Sequence, residues 1–116
     1  MIKIVDKKLI IKKKRNIHFI PLGEVLYFEK FNHKTYVHVE NKNEISLNMS
    51  LKELEIILPS NFKRTHRSFL INKELLEGLI FLNEKSYEAI FPNNKTALVV
   101  KDCLSMVMPE GVINHD

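Results

Sequence analysis

Between Leu9 and Val100 the chain alternates short apolar runs with polar turns: "LIIKK", "NIHFI", "VLYFE", "TYVHVE", "NEISLN", "SFLIN", "GLIFL", "YEAIF" and "TALVV". Runs this short and closely spaced, rich in Val, Ile, Tyr, Phe and Thr, predict a mainly β domain. In "TYVHVE" the period of two sends Thr35, Val37 and Val39 to a core face and Tyr36, His38 and Glu40 to a wet one, which makes His38 a surface strand residue. Polar clusters at 30–34, 40–44, 82–86 and 92–95 mark turns. One helix interrupts the strands. Ser50 followed by Glu53 spells a capping box, and Leu51, Leu54 and Leu58 recur at helical spacing until Pro59 closes the element after about two turns. Residues 106–109 read as an unbound end, and the following "EGVINHD" is too polar to require a place in the core.

At 116 residues, 45% of them hydrophobic, the chain has one domain's length and enough apolar content for a single core. No stretch reaches the roughly 18 apolar residues of a membrane span. The start "MIKIVDKKLIIKKKR" breaks its apolar pairs with lysines, unlike a signal peptide, so a cytoplasmic location is expected. A single cysteine, Cys103, permits neither an internal disulfide nor a multi-thiolate zinc site, and it reads as a small apolar residue. Hydrophobic burial must hold this fold.

The net charge of +4 is unevenly placed. Residues 1–15 carry seven Lys or Arg against Asp6 alone, a net +6, and the remainder carries eleven against thirteen acids, a net −2. Residues 1–9 therefore read as a basic arm or linker, and 12–15 as a solvated tether with non-specific phosphate attraction as the functional alternative. Within the body, positive charge concentrates at "NFKRTHRSFLINK", where Lys63, Arg64, Arg67, Lys73 and His66 meet no acid before Glu74. That composition suits an anionic partner. In a regular strand Arg64 and Arg67 would face opposite sides, so a turn at 65–66 is expected to bring both to one ligand.

Three stretches together resemble the LytTR-type DNA-binding domain of bacterial transcription regulators. They are "GEVLYFEKFNHKTYVHV", "SLKELEIILP" and "FKRTHRSFLINKELLEGL", the last matching the family's spaced Phe, Arg, His, Ser and Asn at Phe62, Arg64, His66, Ser68 and Asn72. The resemblance covers residues 10 to about 107, dividing the chain into the arm at 1–9, the domain at 10–108 and a polar tail at 109–116. It implies an elongated stack of small antiparallel sheets with one short helix, and loops at one edge that contact DNA. Site residues implied are His33, Lys34 and Thr35 in a first loop, with Thr35 the closest match, and Arg64, His66, Arg67 and Ser68 in a second. Lys101 in the third stands where the family usually has arginine, and lysine lacks the planar fork that pairs with guanine. The resemblance further implies an output domain of two-component response regulators, commonly behind a receiver or sensor domain. No heptad pattern or long apolar face announces a dimer, so a monomer in solution is expected, and because one domain's loops read only a few base pairs, two copies are expected to pair on promoter direct repeats through loops in the major groove. Chemistry assigns Arg67, between His66 and Ser68, to base edges and Arg64 to phosphate.

Other function classes fare worse. No G-x-S-x-G, P-loop or H-E-x-x-H motif occurs, and the carboxylates are scattered, so neither an enzyme nor a bound cofactor is expected. His33 and His38 are five apart, which sends them to opposite strand faces and argues against a metal pair. A small β-barrel that binds RNA or protein is the alternative, with Tyr27, Phe28, Phe31 and Tyr36 as stacking candidates. Because "VLYF" reads as a buried run, only Phe31 and Tyr36 remain for that role.

Overall fold

The computed structural model describes residues 1–109, and every apolar run named above becomes a strand. In chain order the elements are β1 (Ile2–Val5), β2 (Lys8–Lys13), β3 (Asn16–Pro21), β4 (Val25–Phe31), β5 (Lys34–Val39), β6 (Ile45–Leu47), α1 (Leu51–Ile57), β7 (Phe62–His66), β8 (Phe69–Asn72), β9 (Gly78–Asn83), β10 (Ser86–Phe91), β11 (Lys95–Val100) and α2 (Leu104–Val107). They form three antiparallel sheets, ordered β1-β2-β3, β6-β5-β4-β8-β7 and β11-β10-β9, in an elongated body of 52 × 30 × 26 Å.

The central five-stranded sheet is covered on both faces. On one, Val25, Phe28, Val37 and Leu70 pack with Leu9, Ile11 and Ile20 of the first sheet and with Leu51 and Leu54 of α1. On the other, Leu26, Tyr27, Phe69 and Ile71 pack with Ala89, Phe91, Ala97 and Val99 of the third. A strand buried on both faces has no wet side to write as polar, so "VLYF" and "FLI" are continuous rather than alternating. Helix α1 carries the predicted box: the Ser50 hydroxyl accepts from the Glu53 amide at 3.1 Å, and the Ser50 amide donates to Glu53 Oε1 at 3.0 Å.

Four expectations are corrected. Residues 1–9 are not an arm: β1 pairs with β2 in the register Ile2–Ile11 and Ile4–Leu9, which turns both isoleucines towards the core. The end of the chain is not unbound through 106–109, because α2 sets Val107, 4% exposed, into the second apolar cluster. His38 is not a surface residue. The third sheet covers its side of the central sheet, its ring stacks on Tyr27 at 4.4 Å, and its Nε2 lies 2.9 Å from Glu29 Oε1. The turn expected at 65–66 falls at 67–68, since β7 continues to His66 with a bulge between Arg64 and His66. The tail placed at 109–116 lies, Pro109 apart, outside the described residues.

Candidate nucleic-acid interface

Sheet register decides which loops can act together. Strand β4 pairs with β5 on one side, ending at Phe31–Lys34, and with β8 on the other, ending at Glu29–Phe69. The β4–β5 hairpin loop (32–33) and the β7–β8 turn (67–68) therefore emerge side by side at one end of the central sheet. Strand β6 brings Leu47 opposite Thr35, so the link through 48–50 into α1 reaches the same end. Lys30, His33, Arg64, Arg67 and Ser68 share one depression of about 570 Å³. A neighbouring one of about 420 Å³ holds His33, Arg64 and Arg67 again, with Asn48 and Lys52.

The β7–β8 turn is built by its own side chains. The Arg64 guanidinium donates from Nε to the His66 carbonyl at 3.0 Å, from Nη2 to the Arg67 carbonyl at 2.6 Å, and from Nη1 to Glu55 Oε2 on α1 at 2.9 Å. His66 Nδ1 accepts the Ser68 amide at 3.0 Å. That bond requires an unprotonated Nδ1, leaving Nε2 as the N–H donor. Partial burial first, then the positive charge of Arg67 and Arg64, holds the His66 pKa below the usual histidine range. The backbone adds a bridge from the Lys30 amide to the Ser68 carbonyl at 2.9 Å, tying the turn to β4. Below it, Thr65 is fully buried with its hydroxyl donating to the Leu98 carbonyl at 2.9 Å. Asn72, 1% exposed, donates to the Val25 carbonyl and accepts from Asn61 and the Glu74 amide.

The spaced residues of the signature thus have structural roles. Phe62 fills the core, Asn72 joins β8 to β4, and Arg64, His66 and the Ser68 amide shape the turn. Arg67, the position between, is exposed, and among the described residues its guanidinium has no hydrogen-bond partner. Arg64, expected on phosphate, has each of its three nitrogens on a protein acceptor instead.

The β4–β5 loop is held differently. Asn32 and His33 have φ of 49° and 64°, both left-handed, as a two-residue type I′ hairpin requires. Non-glycine residues are uncommon in that region, asparagine and histidine being among those most often found there, and His33 is exposed at the tip. Lys34 beside it is exposed. Thr35, the closest match to the family's loop, is 6% exposed because strand alternation turns it inward, though it lines one of the depressions that hold Arg67. Lys101 is exposed in a 3-10 turn after β11, a strand laid against β7 through the Thr65–Leu98 bond, and it does not line the two depressions that Arg64 and Arg67 share. Lys30, Asn48 and Lys52 line the site without having been singled out by sequence. Only Lys30 had a signal there, its place in the turn cluster at 30–34. Of the proposed stacking platforms, Tyr27 and Phe28 are buried and Phe31 is 58% exposed.

The sequence profile of the LytTr DNA-binding domain matches residues 15–108. The transcriptional regulatory protein NatR of Bacillus subtilis (strain 168) is 24% identical over 102 residues, which are 86% of this chain and 43% of NatR. An uncharacterized HTH-type transcriptional regulator of Staphylococcus aureus (strain NCTC 8325 / PS 47) is 28% identical over 88 residues, 76% of this chain and 53% of that protein. The chain spans about half the length of these curated relatives. Among solved structures, the LytTr DNA-binding domain of a Bacillus cereus protein named as a methyl-accepting/DNA response regulator superposes with a TM-score of 0.75 at 25% identity, covering 87% of this chain and 93% of that one. With the profile matching most of its length and the three-sheet stack matching a solved member, this chain belongs to the LytTr DNA-binding domain family.

Proposed function

We propose that the domain binds double-stranded DNA sequence-specifically and regulates transcription, in the cytoplasm, by reading promoter direct repeats through loops set in the major groove. Arg67 is the principal base reader: a guanidinium can give two parallel hydrogen bonds to guanine, worth about 1 to 3 kcal/mol against a wrong base. His33 reads or probes from the adjacent hairpin. Lys30, Lys34 and Lys52 neutralise phosphates beside them, and Lys101 contacts the backbone from the far side of β7. Arg64, His66 and Ser68 act by fixing the loop from which Arg67 projects, and Thr35 by seating the hairpin. The observation that carries this reading is the contrast at 64–68, where the Arg64 guanidinium, His66 Nδ1 and the Ser68 amide are engaged internally while Arg67 itself stands exposed.

One domain with so few reading side chains specifies only a few base pairs, so two monomers are expected to pair on DNA, head to tail, on repeats roughly 10 or 21 bp apart. A receiver or sensor domain, supplied by a longer chain such as those of the relatives, would control that pairing. Selection of duplexes from a random pool tests the reading directly. Recovery of a short repeated motif is expected, and inserting about 5 bp between repeats should abolish cooperative binding while each half-site keeps its weak affinity. Failure to enrich any duplex sequence would refute specific recognition.

A further inference from the structure

The first sheet carries a basic feature that the loops of the central sheet do not use. From Lys7 to Gly23 there is no acid, and Lys12, Lys13, Lys14 and Arg15 are consecutive. These four sit at the tip of the β2–β3 hairpin, all exposed, with Lys14 in a left-handed conformation at φ 56°. The tip is not a loose tether. Lys13 Nζ donates to the hydroxyl and, at 3.4 Å, to the carbonyl of Ser46 on β6, and Ser46 pairs with Tyr36 just beyond the His33–Lys34 loop. A depression of about 540 Å³ between the two sheets is lined by Lys12, Lys13, His33, Lys34, Ser46 and Asn48. His33 also lines both depressions that hold Arg67. One basic surface therefore runs from the hairpin tip, past His33 and Lys34, to Arg67.

We propose that the β2–β3 hairpin tip is a further DNA contact, in which Lys12, Lys14 and Arg15 grip the sugar-phosphate backbone flanking the base pairs read by Arg67 and His33. The proposal rests on the DNA-binding reading above. Four like charges in a row repel one another, and a polyanion laid across them relieves that repulsion and releases its own counterions. Lys13 serves as the anchor, since its ammonium is held by Ser46. The hairpin adds affinity and sets how long a duplex the domain needs, without choosing its sequence. Lys12 and Lys14 precede the part of the chain that the family profile matches, and Arg15 opens it.

The test uses a duplex selected from the random pool, made in a long form with about 10 bp of flank on each side and a form trimmed to the selected motif. Combined Lys12→Gln, Lys14→Gln and Arg15→Gln, with Lys13 kept, should weaken binding to the long duplex roughly tenfold and lower the salt slope by two to three units, about 0.9 for each phosphate no longer neutralised. Binding to the trimmed duplex should be nearly unchanged. Hydroxyl-radical protection of the flank should disappear while that of the motif remains. Lys3→Gln with Lys8→Gln, removing two charges of the same sheet at positions set back from the hairpin tip, should leave the long-duplex affinity within about twofold. A hairpin variant indistinguishable from wild type on the long duplex, or an equal loss from the Lys3 and Lys8 pair, would overturn the hairpin's role and leave DNA binding standing. A wild-type domain that binds no duplex would overturn both, and thermal melting of each variant shows that the fold is intact.

Discussion

Two loops meet at one end of the central sheet, and they are held in shape by opposite means. The β4–β5 hairpin is closed by its backbone, two residues in the left-handed region making a minimal turn. The β7–β8 turn is fixed by side chains, with Arg64 clamped on two carbonyls and Glu55, and His66 on the Ser68 amide. The difference matters for evolution of the site. A backbone-fixed loop lets its tip residue vary within what a positive φ tolerates, whereas a side-chain-fixed loop demands its Arg64 and His66 but leaves the next position, Arg67, open. Specificity can then change at one residue without rebuilding the loop.

The strongest way to break this comparison is at Arg64. Arg64→Ala should remove the clamp, costing about 1 to 2 kcal/mol of stability and at least tenfold in DNA affinity for all sequences. Arg64→Lys is the sharper variant. Lysine keeps a charge that could serve a phosphate but cannot bond two carbonyls and a carboxylate in one plane, so it should fail nearly as badly as alanine. Full recovery of binding with lysine, measured by fluorescence anisotropy beside thermal melting, would mean that Arg64 acts as a phosphate ligand after all.

Next in size is Arg67→Ala, which should leave stability within about 0.5 kcal/mol because the side chain is exposed. It should cost about 1 to 3 kcal/mol in discrimination at a single base pair, read by competition among single-position variants of the selected site. A loss shared equally by all sequences would assign Arg67 to the backbone instead.

Much of this could be read from the chain. The nine apolar runs, the capping box and the stacked-sheet architecture followed from period, turn chemistry and resemblance, all local properties of sequence. What escaped was what tertiary packing decides. Strand β7, "FKRTH", is polar because Arg64 finds a partner on the preceding α1 and Thr65 one on β11, 33 residues on, and no local period announces either. His38 read as wet because alternation gives a side, not whether a third sheet covers it. The role of Arg64 was hidden for the same reason: charge without acids nearby in sequence looked unpaired, while Glu55, nine residues away, was folding onto it. The inward side of Thr35 was legible, since alternation already placed it on the core face.

The His66 clamp can be probed with pH. Folding holds its pKa below the ordinary histidine value of 6.5, so the unfolded chain takes up a proton there first. The stability due to the neutral ring is complete above pH 6.5 and declines as pH falls through the lowered pKa, where Nδ1 gains a proton and can no longer accept the Ser68 amide. Burial lowers the His38 pKa too, despite Glu29, so both histidines contribute with the same sign. His66→Asn keeps an acceptor for Ser68 without a titrating group. Its melting temperature should decline less steeply with falling pH than that of wild type, and an unchanged slope would remove His66 from the account.

The smallest expected effect lies in the other loop. His33 occupies a left-handed conformation that costs a non-glycine residue about 1 to 2 kcal/mol relative to its ordinary regions, part of it met by the favourable hairpin pairing around it. Asn-Gly is the pair best suited to a type I′ turn, and Asn32 is already in place. His33→Gly should therefore stabilise the domain slightly, by about 0.5 kcal/mol once the greater freedom of glycine in the unfolded chain is set against the relieved strain. If the strained histidine is kept because it meets DNA, the same change should weaken binding to the selected duplex several-fold while melting improves, an opposition between stability and function that strain at a working site produces. Stability and affinity rising together would mean that His33 touches nothing and that the backbone-fixed loop serves only to close the sheet.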